Sequence, residues 1–415
     1  MRRLATLLLA LDAPRAGNQT KERTMKKLIA LIIASCGLAI HAHPAHAATD
    51  SRPNCALYSN SKLMSWPATS PVWQFCWRRP DISGPQPAGS GVELFDIHYN
   101  GHLVFSHLNV PVLNVEYGPG GCGCYRDWLD EEVRFEAVGS PCGDGYCKVI
   151  QPARTTCDCA PTDTCDSNPN NECNVDLGSF TGVAAEKESD HLTMTTQMSA
   201  GWYRYSQYLT FYLDGSIHPE FAFASVPNGC TGTTHFHHGY YRFDFDIDGP
   251  ANDTVFRETQ SAGDKDSDSD ADGHNDNFDE AAGPGGTDVG RVLVSTEEYG
   301  YHGDTVSWLV KDMATKRGYR VIPGADDQPL PITNFDPAPF AVGDYWVLAE
   351  HDDENDDLGA GCAININPFV NGEDTARADV VLWYRYGTLH EHGDECFCGR
   401  RGPTLVPIGN WLPTP

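Results

Sequence analysis

The sequence predicts a mainly all-β protein, built as a large antiparallel β-sandwich with a disulfide-rich insertion. Helical periodicity is scarce, whereas short alternating strands rich in aromatic residues recur between Gly, Pro and Asn-Gly turns. With 415 residues and a hydrophobic fraction of 40%, the chain can bury a large core. Its formal net charge is −28, so it lacks the basic surface that a nucleic-acid-binding protein needs. Such an acidic protein would attract cationic partners.

The first segment is predicted to direct export. Met25-Lys26-Lys27 precedes an apolar run from Leu28 to Ile40, and Ala45-His46-Ala47 follows, which is typical of a cleaved bacterial secretory signal. We therefore assign residues 1–47 to an upstream extension and signal peptide, and expect a secreted or periplasmic protein without a transmembrane segment. Lipidation at Cys36 is the alternative.

The cysteines also indicate an oxidising compartment. Without the one in the signal, 14 of the 15 cysteines remain, and eight of these crowd between residues 122 and 173. Such usage in an exported protein is typical of disulfides, whose pairing the sequence does not reveal. Soft-metal binding by the CxC pairs is the rival interpretation. We expect residues 48–92, with Cys55 and Cys76, to be a lead-in stapled to a core domain of residues 93–415.

The most informative strand runs from Gly232 to Gly249. Strand alternation puts His235 and His237 on one face. Three carboxylates share a face in the same way, namely Asp244, Asp246 and Asp248. Imidazole nitrogen suits copper or zinc, whereas clustered carboxylate oxygens suit a harder ion such as calcium. The strand therefore predicts two metals of different character, and an adventitious HxH pair in an exposed strand is the plain alternative.

This strand resembles the copper site of the copper amine oxidases, whose catalytic domain carries HxHxxxxRxDxDxDG. A second segment, Asp379–His390, resembles the family's source of a third copper histidine. The resemblance implies Cu²⁺ held by His235, His237 and His390. It also implies a Ca²⁺ site formed by Asp244, Asp246 and Asp379 with backbone oxygens of Phe245 and Val380.

A third segment, Gly201–Ile217, resembles the family's cofactor strand and closes with an Asp-Gly turn. In the family a tyrosine of this strand is oxidised to topaquinone, and Tyr203 holds that position. Trp202 stands where the family has asparagine, and Arg204 where it has an acidic residue. The alternative is a tyrosine-rich strand that serves only as sheet.

The hairpin Ile97–Gly118 resembles the strands that precede the family's catalytic base. Tyr117 matches the tyrosine that hydrogen-bonds the quinone. The best match for the base is Asp130, with Asp127 as the fallback. Cysteines interrupt the pattern here, because residues 122–173 form the predicted cysteine-rich insertion, so a surface carboxylate remains the alternative for Asp130.

An acidic insertion at residues 264–280 has the carboxylate spacing of an EF-hand-like loop. A second calcium ion could be held there by Asp268, Asp270, Asp272, His274, Asp276 and Asp279. A solvated acidic linker is an equal alternative, because Gly and Asp surround the loop.

The resemblance implies a secreted copper- and topaquinone-dependent oxidase that uses dioxygen to convert a small primary amine to aldehyde, ammonia and hydrogen peroxide, and a homodimer. Asp130 would then act as the general base. The alternative, favoured by Trp202 and Arg204, is an exported copper- and calcium-binding β-protein of the same fold without a quinone. A zinc hydrolase using the three histidines is weaker, since no HExxH motif supports it.

Overall fold

The computed structural model describes residues 52–84, 89–118, 121–158, 176–225, 229–260, 289–303, 306–330, 332, 341–351, 366–391 and 399–413. All of them belong to one compact unit, His46–Pro415. The predicted signal peptide lies outside the described residues. No helix among the described residues is long and apolar enough to span a bilayer.

Strands dominate the described chain. They are β1 (Lys62–Trp66), β2 (Trp73–Arg78), β3 (Glu93–Tyr99), β4 (His102–Tyr117), β5 (Cys124–Asp127), β6 (Gly139–Gly143), β7 (Tyr146–Val149), β8 (Val183–Lys187), β9 (His191–Ala200), β10 (Tyr203–Tyr212), β11 (Ile217–Ser225), β12 (His235–Phe245), β13 (Asp253–Gln260), β14 (Val289–Val294), β15 (Glu298–Gly300), β16 (Val306–Asp312), β17 (Gly318–Ile322), β18 (Tyr345–Ala349), β19 (Val380–His390) and β20 (Thr404–Ile408). The described helical elements are short 3-10 turns at Cys55–Leu57, Pro80–Ile82 and Asn367–Phe369.

The strands form two sheets. One has nine strands in the order β1-β2-β3-β4-β12-β19-β18-β15, with β5 also paired to β4. The other has eleven strands in the order β14-β13-β16-β17-β20-β11-β10-β9-β8-β7-β6. Among the strand pairs of the described chain, β7 and β8 are parallel, whereas the others are antiparallel. The predicted all-β, antiparallel architecture is therefore confirmed.

Aromatic side chains from both sheets form one shared core. The Trp73 ring of β2 lies 5.1 Å from the Phe211 ring of β10, and Phe221 of β11 lies 5.9 Å from Tyr241 of β12. The Trp73 indole N–H also donates a hydrogen bond of 2.7 Å to the carbonyl of Tyr212. Burial of such large rings supplies much of the apolar stabilisation that holds two sheets face to face.

The predicted hairpin between β3 and β4 forms at Asn100-Gly101. Both residues have positive φ, 51° and 80° respectively, and they connect Tyr99 to its partner His102. A two-residue turn with positive φ at both positions matches the twist of antiparallel strands, and asparagine followed by glycine tolerates it best. This turn fixes the register in which β4 runs toward Tyr117.

Disulfides connect several described segments, as the cysteine usage predicts. They join Cys55 to Cys76, Cys122 to Cys230 and Cys142 to Cys147. The first lies within the predicted lead-in, where it joins the turn at Cys55–Leu57 to β2, and the third lies within the β6–β7 hairpin. The second ties the segment after β4 to the segment before β12, with a Cα–Cα distance of 5.5 Å. It therefore braces the two strand ends that carry Tyr117 and His235.

A buried ion pair supports β19 from the side opposite the inter-sheet core. Arg385 and Asp344 are both fully buried, and the Arg385 Nε donates to Asp344 at 2.8 Å. Arg385 also donates to the Gln328 carbonyl at 2.7 Å and to His238 Nδ1 at 3.2 Å. The backbone N–H of Leu330 donates to Asp344 at 3.0 Å. Because neither charge reaches water, each depends on the other and on these hydrogen bonds.

We predict that Asp344→Ala lowers the free energy of unfolding by about 3–5 kcal/mol, because it leaves the Arg385 charge buried without its carboxylate. Urea denaturation monitored by circular dichroism measures the change. The matched control is Glu136→Ala, which breaks the exposed ion pair with Arg154 and should cost about 1 kcal/mol or less. Equal losses in the two variants would contradict this account of the buried pair.

Candidate active site and metal centres

Strand β12 lies between β4 and β19, and its register with both strands assembles a histidine cluster. His235 lies opposite His390 of β19 and opposite Tyr117 of β4. His237 points to the same face of β12, with its ring 4.9 Å from that of His235. The His390 ring lies 4.5 Å from that of His235 on the other side. The structure therefore brings the three predicted copper histidines together, all of them buried.

Hydrogen bonds indicate where the protons of the first two histidines lie. His235 Nδ1 is 2.6 Å from the Thr233 carbonyl, which can only accept, so Nδ1 carries the proton and Nε2 carries the lone pair. His237 Nδ1 is 3.0 Å from the Tyr205 hydroxyl, which itself donates to Asp127. His237 therefore donates from Nδ1 to Tyr205, and its Nε2 also keeps a lone pair. Each of the two imidazoles thus has an Nε2 lone pair that could bind a metal.

The cluster fits a soft or borderline divalent metal. His235 Nε2 lies 2.9 Å from His390 Nδ1, and His237 Nε2 is buried with no hydrogen-bond partner among the described residues. Burial, with a smaller contribution from His390, lowers the pKa of His235 to about 3, so it stays neutral at physiological pH. Three neutral imidazole nitrogens suit Cu²⁺ or Zn²⁺. A bound cation would also satisfy the buried nitrogen, whose isolation otherwise costs about 1–3 kcal/mol.

Tyr203, the predicted cofactor precursor, lies directly against this cluster. It begins β10 in the facing sheet, and its hydroxyl is 3.0 Å from His235 Nε2. The same hydroxyl is 2.7 Å from that of Tyr117. The Tyr203 ring also lies edge-on to His237, at 4.7 Å between ring centres. Sequence reasoning paired these residues only through a family resemblance, and the structure brings them into direct contact.

The two departures from the family pattern beside Tyr203 lie in different places. Arg204 points away from the histidines, as alternation requires, and forms an ion pair of 2.7 Å with Asp176. Trp202, just before the strand, stays on the site side, where its indole N–H donates to the Tyr117 hydroxyl at 3.0 Å. Arg204 therefore contacts none of the predicted copper residues in the described chain, whereas Trp202 is part of the site.

The two candidate bases are also placed differently. Asp127 ends β5, and its carboxylate accepts a hydrogen bond from Tyr205, which in turn contacts His237. Burial raises the pKa of Asp127 to about 7, although the Tyr205 hydrogen bond opposes the shift. Asp130 lies beyond the end of β5, with its backbone and Cβ against Gly89. Within the described residues, the geometry thus links Asp127, and not Asp130, to the histidine cluster.

The predicted carboxylate site lies at the other end of the β12–β19 pair. Oxygens of Asp244, Asp246 and Asp379 lie within 4.8 Å of one another. The backbone of Phe245 lies opposite that of Val380 in the same ladder. Because β12 and β19 are antiparallel, the register that pairs His235 with His390 also brings these residues together.

These carboxylates fit a hard divalent cation such as calcium. One oxygen of each is buried without a hydrogen-bond partner in the described chain, and Asp244 also accepts from Arg242 at 2.9 Å. Burial and the neighbouring carboxylates raise the pKa of Asp246 well above its ordinary value. Burial and the Asp244 charge raise the pKa of Asp379 to about 8. A divalent cation would remove both penalties, since it replaces repulsion between carboxylates with attraction.

A further group of potential metal ligands was missed by the sequence reasoning. Donor atoms of Glu297, His351 and Glu373 also lie within 4.8 Å of one another. Glu297 is engaged already: it accepts from His351 at 3.1 Å, and from the backbone N–H groups of Asn371 at 2.7 Å and Gly372 at 3.0 Å. The three side chains come from distant segments, so no local motif could have revealed the cluster.

Several predicted residues lie outside the part of the chain that the structure describes. They are Asp268, Asp270, Asp272, His274, Asp276 and Asp279 of the acidic insertion, together with Cys159, Cys165 and Cys173. The second calcium loop therefore stays a prediction.

Comparisons with known proteins agree with this geometry. Residues 222–395 match the family model described as copper amine oxidase, enzyme domain. No match is found among curated proteins. The chain is similar in structure to a copper-containing benzylamine oxidase from Hansenula polymorpha, with 15% identity, a TM-score of 0.53, and coverage of 83% of this chain and 59% of the other. Identity at this level shows the fold alone.

Two further solved structures share the fold. Pichia pastoris lysyl oxidase matches with 15% identity and a TM-score of 0.52, over 81% of this chain and 51% of its own. Aspergillus nidulans amine oxidase matches with 17% identity and a TM-score of 0.50, over 83% of this chain and 52% of its own. The chain thus spans between half and three fifths of the length of these structures.

The chain is thus a β-sandwich with the fold of copper amine oxidases, and it carries candidate metal sites. The predicted resemblance to the copper amine oxidases is confirmed, since residues 222–395 match the family's enzyme-domain model and the fold is shared with a solved member.

We predict that calcium raises the thermal unfolding temperature of the metal-free protein, and that Asp379→Asn removes most of this gain. Bound calcium should add about 2.7 kcal/mol at a concentration roughly a hundred times its Kd. In chelator the variant should be at least as stable as the wild type, because one of three crowded carboxylates is gone. Differential scanning calorimetry with calcium and with chelator measures both effects.

The matched control is Asp374→Asn, which makes the same charge change nearby at an exposed residue whose Oδ1 caps Ala376 N–H. This control should keep the full calcium response. A calcium response that Asp379→Asn leaves intact would show that the cation binds elsewhere.

Proposed function

We propose that this protein is a secreted copper- and topaquinone-dependent primary-amine oxidase. It would convert a primary amine, dioxygen and water to an aldehyde, ammonia and hydrogen peroxide. The observation that carries the proposal is the contact between Tyr203 and the histidine cluster, in which the Tyr203 hydroxyl lies 3.0 Å from His235 Nε2. This contact brings the predicted precursor of the quinone to a nitrogen that is available to a metal.

The residues present fit both implied groups. His235, His237 and His390 would hold copper, and Tyr203 would be the precursor of the quinone. When bound, copper supplies the redox chemistry that converts the tyrosine, and the quinone supplies the electrophilic carbonyl and the electron sink that amine oxidation requires. The protein itself contributes position, exclusion of water and proton transfer.

Position is supplied from two sides of Tyr203. Tyr117 holds its oxygen through the 2.7 Å hydrogen bond, and His237 packs against its ring. Tyr203 is 1% exposed and Tyr117 6%, so bulk water has little access to either hydroxyl. Exclusion of water protects reactive groups and strengthens the electrostatic interactions around them.

Proton transfer is assigned to Asp127, which replaces Asp130 as the preferred base. Its carboxylate is held by Tyr205 on the face that carries the histidines. Burial, and to a smaller extent the charge of Asp127, raises the pKa of both Tyr117 and Tyr203. A carboxylate with a pKa of about 7 is well matched to removing a proton from the carbon that bears the amine.

Export and substrate attraction complete the proposal. The disulfides fit an oxidising compartment, as the predicted signal peptide requires. The net charge of −28 would draw cationic amines toward the protein. Assembly as a homodimer belongs to the same proposal through the family resemblance. Benzylamine, which appears in the name of the Hansenula polymorpha enzyme, is a reasonable first probe.

The proposal is tested by adding Cu²⁺ in air to metal-free protein and recording the visible spectrum before and after phenylhydrazine. We expect a broad quinone band that shifts with hydrazine, and no such band in Tyr203→Phe. Tyr212→Phe, at the other end of β10, is the matched control and should behave as wild type. Zn²⁺ should bind without producing the band, because it is redox-inert.

Copper uptake without the band in wild-type protein would favour the second candidate function, an exported copper- and calcium-binding protein. Trp202 is the observation behind that candidate, because it replaces the asparagine of the family pattern. Arg204 no longer supports it, since it faces away from the site and pairs with Asp176.

We predict that Asp127→Asn lowers kcat/KM for benzylamine by about 100- to 10,000-fold, because general-base catalysis contributes on this scale. In wild-type protein the base works only when ionised. As the pH falls below the Asp127 pKa of about 7, kcat/KM calculated on the concentration of neutral amine should therefore decrease, and it should level off above that pH. Stopped-flow reduction by benzylamine across the pH range measures both effects.

The matched control is Asp130→Asn, which should leave kcat/KM within about threefold of wild type. Both variants should still form the quinone. If Asp130→Asn causes the large loss and Asp127→Asn does not, the assignment of the base must be reversed.

A further inference from the structure

We propose that Trp202 is a positioning residue, whose indole N–H fixes the hydrogen bond that Tyr117 makes to Tyr203. The role rests on the proposed function, because it concerns the orientation of the reacting tyrosine. Trp202 is also where the sequence departs from the family on the site side, so this function would be particular to this chain.

The direction of the hydrogen bonds follows from donor chemistry. The indole N–H can only donate, and it lies 3.0 Å from the Tyr117 oxygen. The Tyr117 hydroxyl proton then needs an acceptor, and the Tyr203 oxygen is 2.7 Å away. Buried hydroxyls are rarely left unsatisfied. Tyr117 therefore accepts from Trp202, and the Tyr203 oxygen can accept the Tyr117 proton.

The next contact is consistent with this direction. Because His235 Nδ1 donates to the Thr233 carbonyl at 2.6 Å, its Nε2 is an acceptor. In the metal-free protein the Tyr203 hydroxyl can therefore receive one hydrogen bond from Tyr117 and share the lone pair of His235 Nε2 with His390 Nδ1, at 3.0 Å and 2.9 Å respectively. A chain of contacts at hydrogen-bond distance thus runs from Trp202 to the histidine cluster, and it begins at a group that can only donate.

Packing holds the indole where this donation is possible. The Tyr125 ring of β5 lies perpendicular to that of Trp202, with 5.4 Å between centres, and perpendicular to that of Tyr117 at 6.0 Å. The Tyr125 hydroxyl donates to the Cys122 carbonyl at 3.1 Å, beside the disulfide to Cys230. The braced loop therefore keeps Tyr125 against Trp202.

Without the indole N–H, the Tyr117 hydroxyl could rotate, or accept from Tyr203 instead of donating to it. Either change would loosen the Tyr203 oxygen while every ring stayed in place. An asparagine at this position could not pack against Tyr125 in the same way. Trp202 thus combines a donor with an aromatic contact, and only the donor matters for the proposed role.

The experiment separates the donor from the ring. Trp202 is replaced by benzothienylalanine, in which sulfur takes the place of the indole N–H with little change of shape. Trp128→Phe, at a tryptophan that is 42% exposed, is the control for altering an aromatic residue nearby. Hydroxyl exchange is followed in metal-free protein by NMR of tyrosine labelled at Cζ, with the Tyr117 signal assigned by Tyr117→Phe.

We expect the Tyr117 hydroxyl to exchange about five- to tenfold faster in the sulfur analogue, the factor that corresponds to one net hydrogen bond. Copper-dependent quinone formation should slow by a similar factor, with an unchanged thermal unfolding temperature. Trp128→Phe should alter neither rate.

An unchanged Tyr117 exchange rate in the analogue would overturn the proposal, because Trp202 would then contribute only packing. Quinone formation at the wild-type rate despite faster exchange would also overturn it. Absence of any quinone in wild-type protein is a different result, since it refutes the proposed function itself, and the exchange data alone then report whether the Trp202 hydrogen bond exists.

Discussion

The structure depends above all on the register between β12 and β19. The pairing of His235 with His390 at one end and Phe245 with Val380 at the other belongs to a single antiparallel ladder. Because side chains alternate along a strand, a slip of one residue would turn both the histidine and the carboxylate positions of the slipped strand to the wrong face. Both candidate metal clusters therefore depend on the same register.

The burial around the ladder explains why the register is so well defined. Every residue of β12 is buried, and β19 is buried at all but one position. On one side the strands face the aromatic inter-sheet core, and on the other they rest on the Arg385–Asp344 pair. A misregistered ladder would turn the imidazoles away from Tyr203 and Tyr205 and place carboxylates in that core, at a cost of several kcal/mol for each buried charge. The buried polar side chains of these strands thus favour one register, and they also offer candidate metal ligands.

The facing sheet completes the site because of where β10 begins. Tyr203 is the first residue of that strand, and its partner in β11 is Ser225. The turn at the opposite end of β10 fixes which tyrosines point inward, so Tyr203 and Tyr205 both reach the histidines while Arg204 does not. Each inward hydroxyl then meets one histidine, Tyr203 at His235 and Tyr205 at His237. The packing of the two sheets is therefore sufficient to bring these two hydroxyls to the histidines.

Much of this could be predicted from the sequence, and the rest could not, for identifiable reasons. Alternation and spacing were sufficient for the β-sandwich, for the face shared by His235 and His237, and for the hairpin at Asn100-Gly101, since these features are local. The base was harder, because an irregular glycine- and cysteine-containing segment separates Tyr117 from Asp127. Counting residues across such a segment does not tell which carboxylate faces inward. The cluster around Glu297 was invisible for a related reason, because it joins segments far apart in the chain.

The two departures from the family pattern differ in their effect because they lie on opposite faces of the sheet. In the linear sequence Trp202 and Arg204 flank Tyr203 equally, and both weaken the resemblance. In the structure Arg204 satisfies its charge on the outer face with Asp176, whereas Trp202 donates to the hydroxyl that holds Tyr203. The residue on the outer face can vary, because a substitution there changes only a partly exposed ion pair that contributes little to the free energy of unfolding. A substitution on the inner face must supply a new hydrogen-bond arrangement or lose the old one, and the indole of Trp202 supplies one.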